Sequence, residues 1–145
     1  MPSVMFDSSI NIAALQMKHG AALELRRLAK GESIWLGSVE LEELYVGANA
    51  KNRHVVERFE RDFDRASRVL VRDLKDWAQA GEVLALLAAR YDFDQIGRGR
   101  LTNDALIAIS AARTGTTVIT ANARDFERLA EFRPFQWKIE ITING

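Results

Sequence analysis

LTNDALIAISAARTGTTVITANARDF, the stretch from Leu101 to Phe126, decides the fold, because it sets two apolar elements between three polar clusters. The clusters are Thr102-Asn103-Asp104, Thr120-Ala121-Asn122 and Arg124-Asp125. Ala105 to Ala112 is apolar apart from Ser110, about two helical turns, and Thr102 or Asn103 stands where an N-cap belongs. The spacing predicts a largely buried helix on which Asp104 shares a face with Ile107, Ala108, Ala111 and Ala112. After Gly115, Thr116 to Thr120 is a β-branched run suited to an interior strand, with Asn122 and Asp125 just past its carboxyl end. In open α/β sheets ligands bind there. Taken singly, Asp104 and Asp125 are also explained as first-turn acids favoured by a helix dipole.

The N-terminus repeats the arrangement. Ser3-Val4-Met5-Phe6 reads as a strand and stops at Asp7-Ser8-Ser9, after which Ile10, Ala13, Ala14 and Met17 recur at helical spacing. Asp7 thus matches Asp125 in position, or serves with Ser8 or Ser9 as an N-cap. A second helix after Gly20 turns Leu25, Leu28 and Ala29 inward and closes at Gly31. Ser33 to Leu36 is the next strand, leading through Gly37 into a helix that carries Glu40, Glu42 and Glu43. Its main stripe is Leu41, Leu44, Tyr45 and Ala48; Glu43 lies nearly opposite, with Val39 and Val46 on its side, and spacing alone leaves all three glutamates open.

An amphipathic helix over Asn52 to Arg68 carries Val55, Val56, Phe59, Phe63 and Ala66 on one stripe, and Val69 to Val71 is a short strand. From Asp73 a long helix runs to about Tyr91, with Leu74, Trp77, Leu84, Leu87, Ala88 and Tyr91 on its inner side. Ile96-Gly97-Arg98-Gly99-Arg100 then offers flexible backbone with two guanidinium groups, so Arg98 and Arg100 suit a phosphodiester backbone or, singly, a solvated loop. A short helix over Phe126 to Glu131 and a strand over Phe135 to Trp137 close a domain of residues 1–137. The tail 138–145 alternates polar residues with Ile139, Ile141 and Ile143, an edge-strand or partner-binding pattern.

The chain of 145 residues is a single-domain length with ordinary globular composition. Twenty basic and twenty acidic residues cancel, so no global positive field advertises nucleic acid. The absence of cysteine excludes disulfides, thiolate catalysis and Cys-ligated zinc; with only His19 and His54 besides, a metal site would rest on oxygen ligands, which points to Mg²⁺ or Mn²⁺. No signal sequence or membrane span stands out, and a cytoplasmic location is expected.

Alternating strands and helices make the economical architecture α/β, a three-layer αβα sandwich with a central, mainly parallel sheet. Asp7, Asp104 and Asp125 then share one edge of it. Carboxylates gathered there repel one another unless a hard divalent cation neutralises them, and such an ion favours phosphate-ester hydrolysis. The blocks Asp7-Ser8-Ser9, Glu43-Leu44-Tyr45-Val46-Gly47, Asn103 to Ala108 and Thr120 to Phe126 together resemble a PIN domain, most nearly the VapC-type toxins of bacterial toxin–antitoxin pairs. The resemblance covers Val4 to about Trp137. It implies Asp7, Glu43, Asp104 and Asp125 as the catalytic acids, with Asp7, Asp104 and Asp125 on the metal and Thr120 and Asn122 in support. It also implies an Mg²⁺- or Mn²⁺-dependent endoribonuclease, a homodimer restrained by a small antitoxin protein. Ser8 stands where similar proteins carry threonine; the hydroxyl is kept, and it joins the supporting residues.

Two other functions share parts of this pattern. An aspartate-based phosphotransfer or phosphatase domain needs a lysine near the sheet's end, and Lys18, Lys30, Lys51, Lys75 and Lys138 all lie away from the strand ends. A non-catalytic RNA- or protein-binding module of the same fold would have little reason to keep four acids, which repel phosphates unless a metal intervenes.

Overall fold

The computed structural model describes residues 2–15, 21–91 and 100–139. Its strands are β1 (Ser3–Phe6), β2 (Ser33–Gly37), β3 (Val69–Leu70), β4 (Thr117–Thr120) and β5 (Trp137–Ile139), in one sheet of order β3-β2-β1-β4-β5. Each pairing is parallel; Met5 on β1 lies between Trp35 and Val118. The chain moves outward from β1 to β2 and β3, then returns to lay β4 on the opposite flank of β1. The gap beyond the carboxyl ends of β1 and β4 is therefore the topological switch point, where open α/β sheets hold their ligands.

The alternation of side chains along each strand assigns the two outer layers. Met5 and Val118 face α5 (Leu74–Tyr91), α6 (Arg100–Thr114) and α7 (Ala123–Phe132), in a core that includes Val83, Leu87, Leu106 and Phe126. Val4, Phe6 and Ile119 face the other way, onto Ile10 of α1 (Ser8–Leu15), Leu25 and Leu28 of α2 (Ala21–Ala29) and Phe59 of α4 (Arg53–Arg65). Between them α3 (Ser38–Gly47) packs Leu44 against Leu36 and Val56. The expected three-layer sandwich is thus observed. Ala105 to Ala111 of α6 are buried throughout, and the Ser110 hydroxyl is accommodated by donating to the Leu106 and Ile107 carbonyls at 2.8 and 3.1 Å. Lys30 and Gly31, both at positive φ, turn the chain out of α2.

Several expectations need correction. Because α6 starts at Arg100, Thr102 and Asn103 lie inside its first turn and are not its N-cap. Ala66, just past the end of α4, is exposed, and Arg68 has left the helix to lie over the Trp35 ring. The last strand begins at Trp137, where the expected one ends, so Lys138 and Ile139 form the edge of the sheet beside β4.

The largest difference is the inner stripe of α5, which is Asp76, Ala80, Val83 and Leu87, whereas Leu74 and Trp77 are 83% and 53% exposed. A carboxylate that finds partners decides this rotation. Asp73 Oδ1 accepts the Asp76 N–H at 2.9 Å and Asp76 Oδ2 accepts the Asp73 N–H at 3.1 Å, a reciprocal capping box at the helix start. Asp76 also receives Arg113 of α6 through two hydrogen bonds of 2.9 and 2.8 Å. Burial pushes the Asp76 carboxyl up, but the Arg113 hydrogen bond and the Asp73 N–H outweigh it and hold it below its ordinary 3.8. Its stabilisation is therefore complete above about pH 3.8 and lost as pH falls through the folded value. Asp76→Asn should cost about 1–2 kcal/mol at pH 7. Urea unfolding of both proteins at pH 7 and pH 3 checks this; the gap between them should narrow at the lower pH, and an unchanged gap would exclude the ionised carboxylate as its cause.

Candidate active site

Asp7 follows β1 directly and is still held to β4, its N–H donating to the Ile119 carbonyl at 3.1 Å. Its side chain is buried, and both oxygens are engaged. Oδ1 accepts the Ser9 hydroxyl at 2.6 Å and the Ile10 N–H at 3.3 Å, which makes Asp7 the N-cap of α1. Oδ2 accepts the hydroxyl of Thr120, the last residue of β4. The capping and the functional readings of Asp7 are thus compatible: the cap fixes one oxygen and the neighbouring strand fixes the other. One turn along, buried Asn11 donates through Nδ2 to the Phe6 carbonyl at 3.2 Å and closes the end of β1.

Thr120 continues the arrangement into the next loop. Its oxygen accepts the Asn122 N–H at 2.9 Å, and Asn122 Nδ2 donates to Asp125 Oδ2 at 2.8 Å. A continuous hydrogen-bonded path therefore runs Asp7, Thr120, Asn122, Asp125 across the switch point. Ser8 opens α1, but its side chain lies outside what is described; Ser9, expected only as a candidate N-cap and not as a supporting residue, is the hydroxyl seen on Asp7. The available signal was its position two residues after a capping acid.

Asp104 lies in the second turn of α6, half-buried, and Glu43 lies in the second turn of α3, also half-buried. Val46, expected to share a partly buried face with Glu43, is 76% exposed, so it does not shelter that carboxylate, and the neighbour of Gly47 is the Ile12 side chain, 4.0 Å from where a Cβ would stand. Glu42 is exposed. Glu40 is fully buried and paired with Arg72 through contacts of 3.0 and 3.3 Å, which gives it a structural partner of its own. Burial pushes the Glu40 carboxyl above its ordinary value, against the opposing pull of Arg72. Arg98 lies outside the described residues; Arg100 is the first residue of α6, its side chain likewise outside what is described.

Among the described residues, Asp7, Thr120 and Asp125 offer oxygen ligands at this edge, which suits a hard divalent ion. Among the described residues no three acids are gathered closely enough to chelate an ion unaided. That arrangement fits a cation such as Mg²⁺, which keeps much of its water and takes one or two carboxylates together with substrate phosphate oxygens.

Comparison with known proteins agrees with this geometry. Residues 4–132 match the PIN domain family. The tRNA(fMet)-specific endonuclease VapC of Shigella flexneri is 30% identical over 142 residues, spanning 94% of this chain and 99% of that protein. The crystal structure of VapBC2 from Rickettsia felis, bound to a DNA fragment from its promoter, superposes with a TM-score of 0.67 at 25% identity, covering 95% of this chain and 98% of that one. DNA-bound VapBC from Salmonella typhimurium has the same fold, with a TM-score of 0.69 at 24% identity over 96% and 98% of the two chains. With Asp7 and Asp125 linked at the switch point of a parallel sheet and the match running from β1 through α7, the chain belongs to the PIN domain family and, within it, to the VapC-type nucleases.

Proposed function

We propose that the chain is a divalent-metal-dependent endoribonuclease that hydrolyses RNA phosphodiester bonds as the toxin of a toxin–antitoxin pair. The observation that carries this reading is the buried Asp7 at the switch point, held by Thr120 from the adjacent strand and linked onward to Asp125. In this proposal Asp7, Asp104 and Asp125 hold Mg²⁺ or Mn²⁺, and Glu43 is the fourth catalytic acid. An ion held there would supply Lewis acidity toward a phosphoryl oxygen and make a water more acidic. The protein's own contribution is orientation. Thr120 and the Ile10 N–H orient the Asp7 carboxylate, Asn122 does the same for Asp125, and Ser8 is proposed as a further supporting residue. Arg98 and Arg100 are proposed to grip the RNA backbone on the approach to α6.

A small antitoxin is the proposed partner, and its support is that the structural neighbours are VapBC complexes. A homodimer is proposed as the working unit; Val71, Leu74 and Trp77, exposed apolar residues where β3 meets α5, supply a surface for it. Among the described residues no helix is long and apolar enough to cross a membrane, and we place the protein in the cytoplasm.

The test is cleavage by the purified protein of structured and single-stranded RNAs with Mg²⁺, Mn²⁺ or chelator. Cutting should require the metal, and induced expression should slow growth until a small protein encoded beside it is co-expressed. Cutting that persists in chelator would overturn the metal-dependent reading, and harmless expression of protein proven active in vitro would overturn the toxin reading.

A further inference from the structure

At the sheet edge opposite the acids lies a cavity of about 360 Å³. Ser3 and Ser33, the paired first residues of β1 and β2, line it together with Thr116, Trp35, Leu70 and Arg68. From Ser3 to Asp7 is roughly 13 Å along the strand, so this cavity and the acidic edge are separate places. The lining is specific in its chemistry. The Arg68 guanidinium lies over the Trp35 ring at 5.7 Å from its centroid, and among the described residues no carboxylate pairs with it. A guanidinium held over an aromatic face by this cation–π contact keeps N–H groups available to an anion.

The hydroxyls opposite have a fixed proton order. Thr114 donates to the Ser110 carbonyl at 2.8 Å, so in its 2.9 Å contact with Thr116 it must accept. Thr116 has thereby used its one hydrogen, so in the 3.0 Å contact with Ser3 it must accept in turn. Ser3 is the end of the relay: its hydrogen is spent, and its oxygen presents lone pairs. The cavity therefore offers a cationic fork, a flat stacking surface and a hydrogen-bond acceptor. A complementary ligand carries an anion, a planar ring and an N–H donor on the ring's edge.

We infer that this cavity binds one unpaired nucleotide, with its phosphate on Arg68, its base against the Trp35 ring and a base N–H on Ser3 Oγ. Bases of single-stranded RNA are recognised by such aromatic and guanidinium planes. The volume is that of a small-ligand pocket. The same chemistry is carried by a free mononucleotide and by one residue of an RNA strand.

Calorimetric titration of the intact protein in chelator tests the inference, with the four nucleoside monophosphates, a short single-stranded RNA, inorganic phosphate and benzoate as probes. Nucleotides or the RNA should bind saturably, and phosphate or benzoate at least about tenfold more weakly, the scale of one charge-assisted hydrogen bond. Arg68→Ala should weaken nucleotide binding by about tenfold or more, and Arg68→Lys, which keeps the charge and loses the plane, by less. Mononucleotide binding equal to that of the RNA identifies the free nucleotide as the source; binding by the RNA alone identifies the strand. Phosphate or benzoate binding as tightly as the nucleotides, no saturable binding, or unchanged affinity in Arg68→Ala would overturn the inference. Should Arg68→Ala fail to fold, Ser3→Leu, which adds bulk to the cavity lining, must abolish the binding for the inference to stand.

Discussion

Asp7→Asn is expected to reduce RNA cleavage by roughly 10²–10⁴-fold while leaving a folded protein. The loss follows from charge, since an amide cannot replace a carboxylate toward a divalent ion, although its shape is the same. The effect on stability depends on the hydrogen bonds. The asparagine oxygen can still cap α1 by accepting the Ile10 N–H, but its NH₂ would face the Thr120 hydroxyl, which now donates to a carboxylate oxygen. Thr120 already accepts the Asn122 N–H, so it would have to take a second hydrogen and leave its own without an acceptor. Relief of repulsion among the acids is offset by this mismatch, and a net cost of about 0.5–1.5 kcal/mol is expected. Asp125→Asn should lose cleavage to a similar extent with a smaller change in stability, because Asp125 is only half-buried and accepts its side-chain hydrogen bond from the Asn122 amide. Rates measured per folded molecule, alongside urea unfolding, separate the two effects. Undiminished cleavage by folded Asp7→Asn would remove Asp7 from the active site.

The parts of this fold that were legible in the sequence are those set by short-range pattern. Val4 to Phe6, Ile34 to Leu36 and Val118 to Thr120 are short apolar or β-branched runs, and each lies within a strand of the sheet. Ala105 to Ala111 is too uniformly apolar to be anything but a central helix, and it is buried along its whole length. The position of Asp7 and Asp125 beyond two strands was equally readable. That those strands are neighbours was not, because adjacency of β1 and β4 depends on where the chain returns after α6. Long-range polar pairs were the least visible. Leu74 and Trp77 look like the inner face of α5 on hydrophobicity alone, yet Asp76 takes that face because Arg113, 37 residues later, supplies two donors. A buried carboxylate with a good partner outweighs two apolar residues, and no local window contains the partner.

The same limit governs the glutamates of α3, where the second large effect is expected. Glu40→Ala should destabilise the protein by about 3–5 kcal/mol, because it leaves Arg72 charged and buried without its partner. In a domain of this size that lowers the midpoint by about 10 °C or more. Glu40 is the carboxylate in contact with Arg72 among the described residues: Nη1 and Nη2 reach it, the Leu70 carbonyl and Met5 Sδ are the other contacts, and Nε has no partner among the described residues. Gly37 belongs to the same unit, since a Cβ there would overlap Glu40 Oε2 and Arg72 Nη1. Gly37→Ala should therefore be destabilising on a comparable scale even though Gly37 has no positive φ, and the cause is space rather than backbone freedom. Replacing both members, as Glu40→Leu with Arg72→Met, removes both charges and should recover much of the loss. If Glu40→Ala and the double variant unfold at the same midpoint, the isolated charge is not the source of the effect. The pair also separates the two glutamates by function. Glu40→Gln should retain cleavage per folded molecule, as a residue that braces β2 against the β3–α5 junction, whereas Glu43→Gln should lose cleavage with little change in midpoint. The reverse result would move the fourth acid of the site from Glu43 to Glu40.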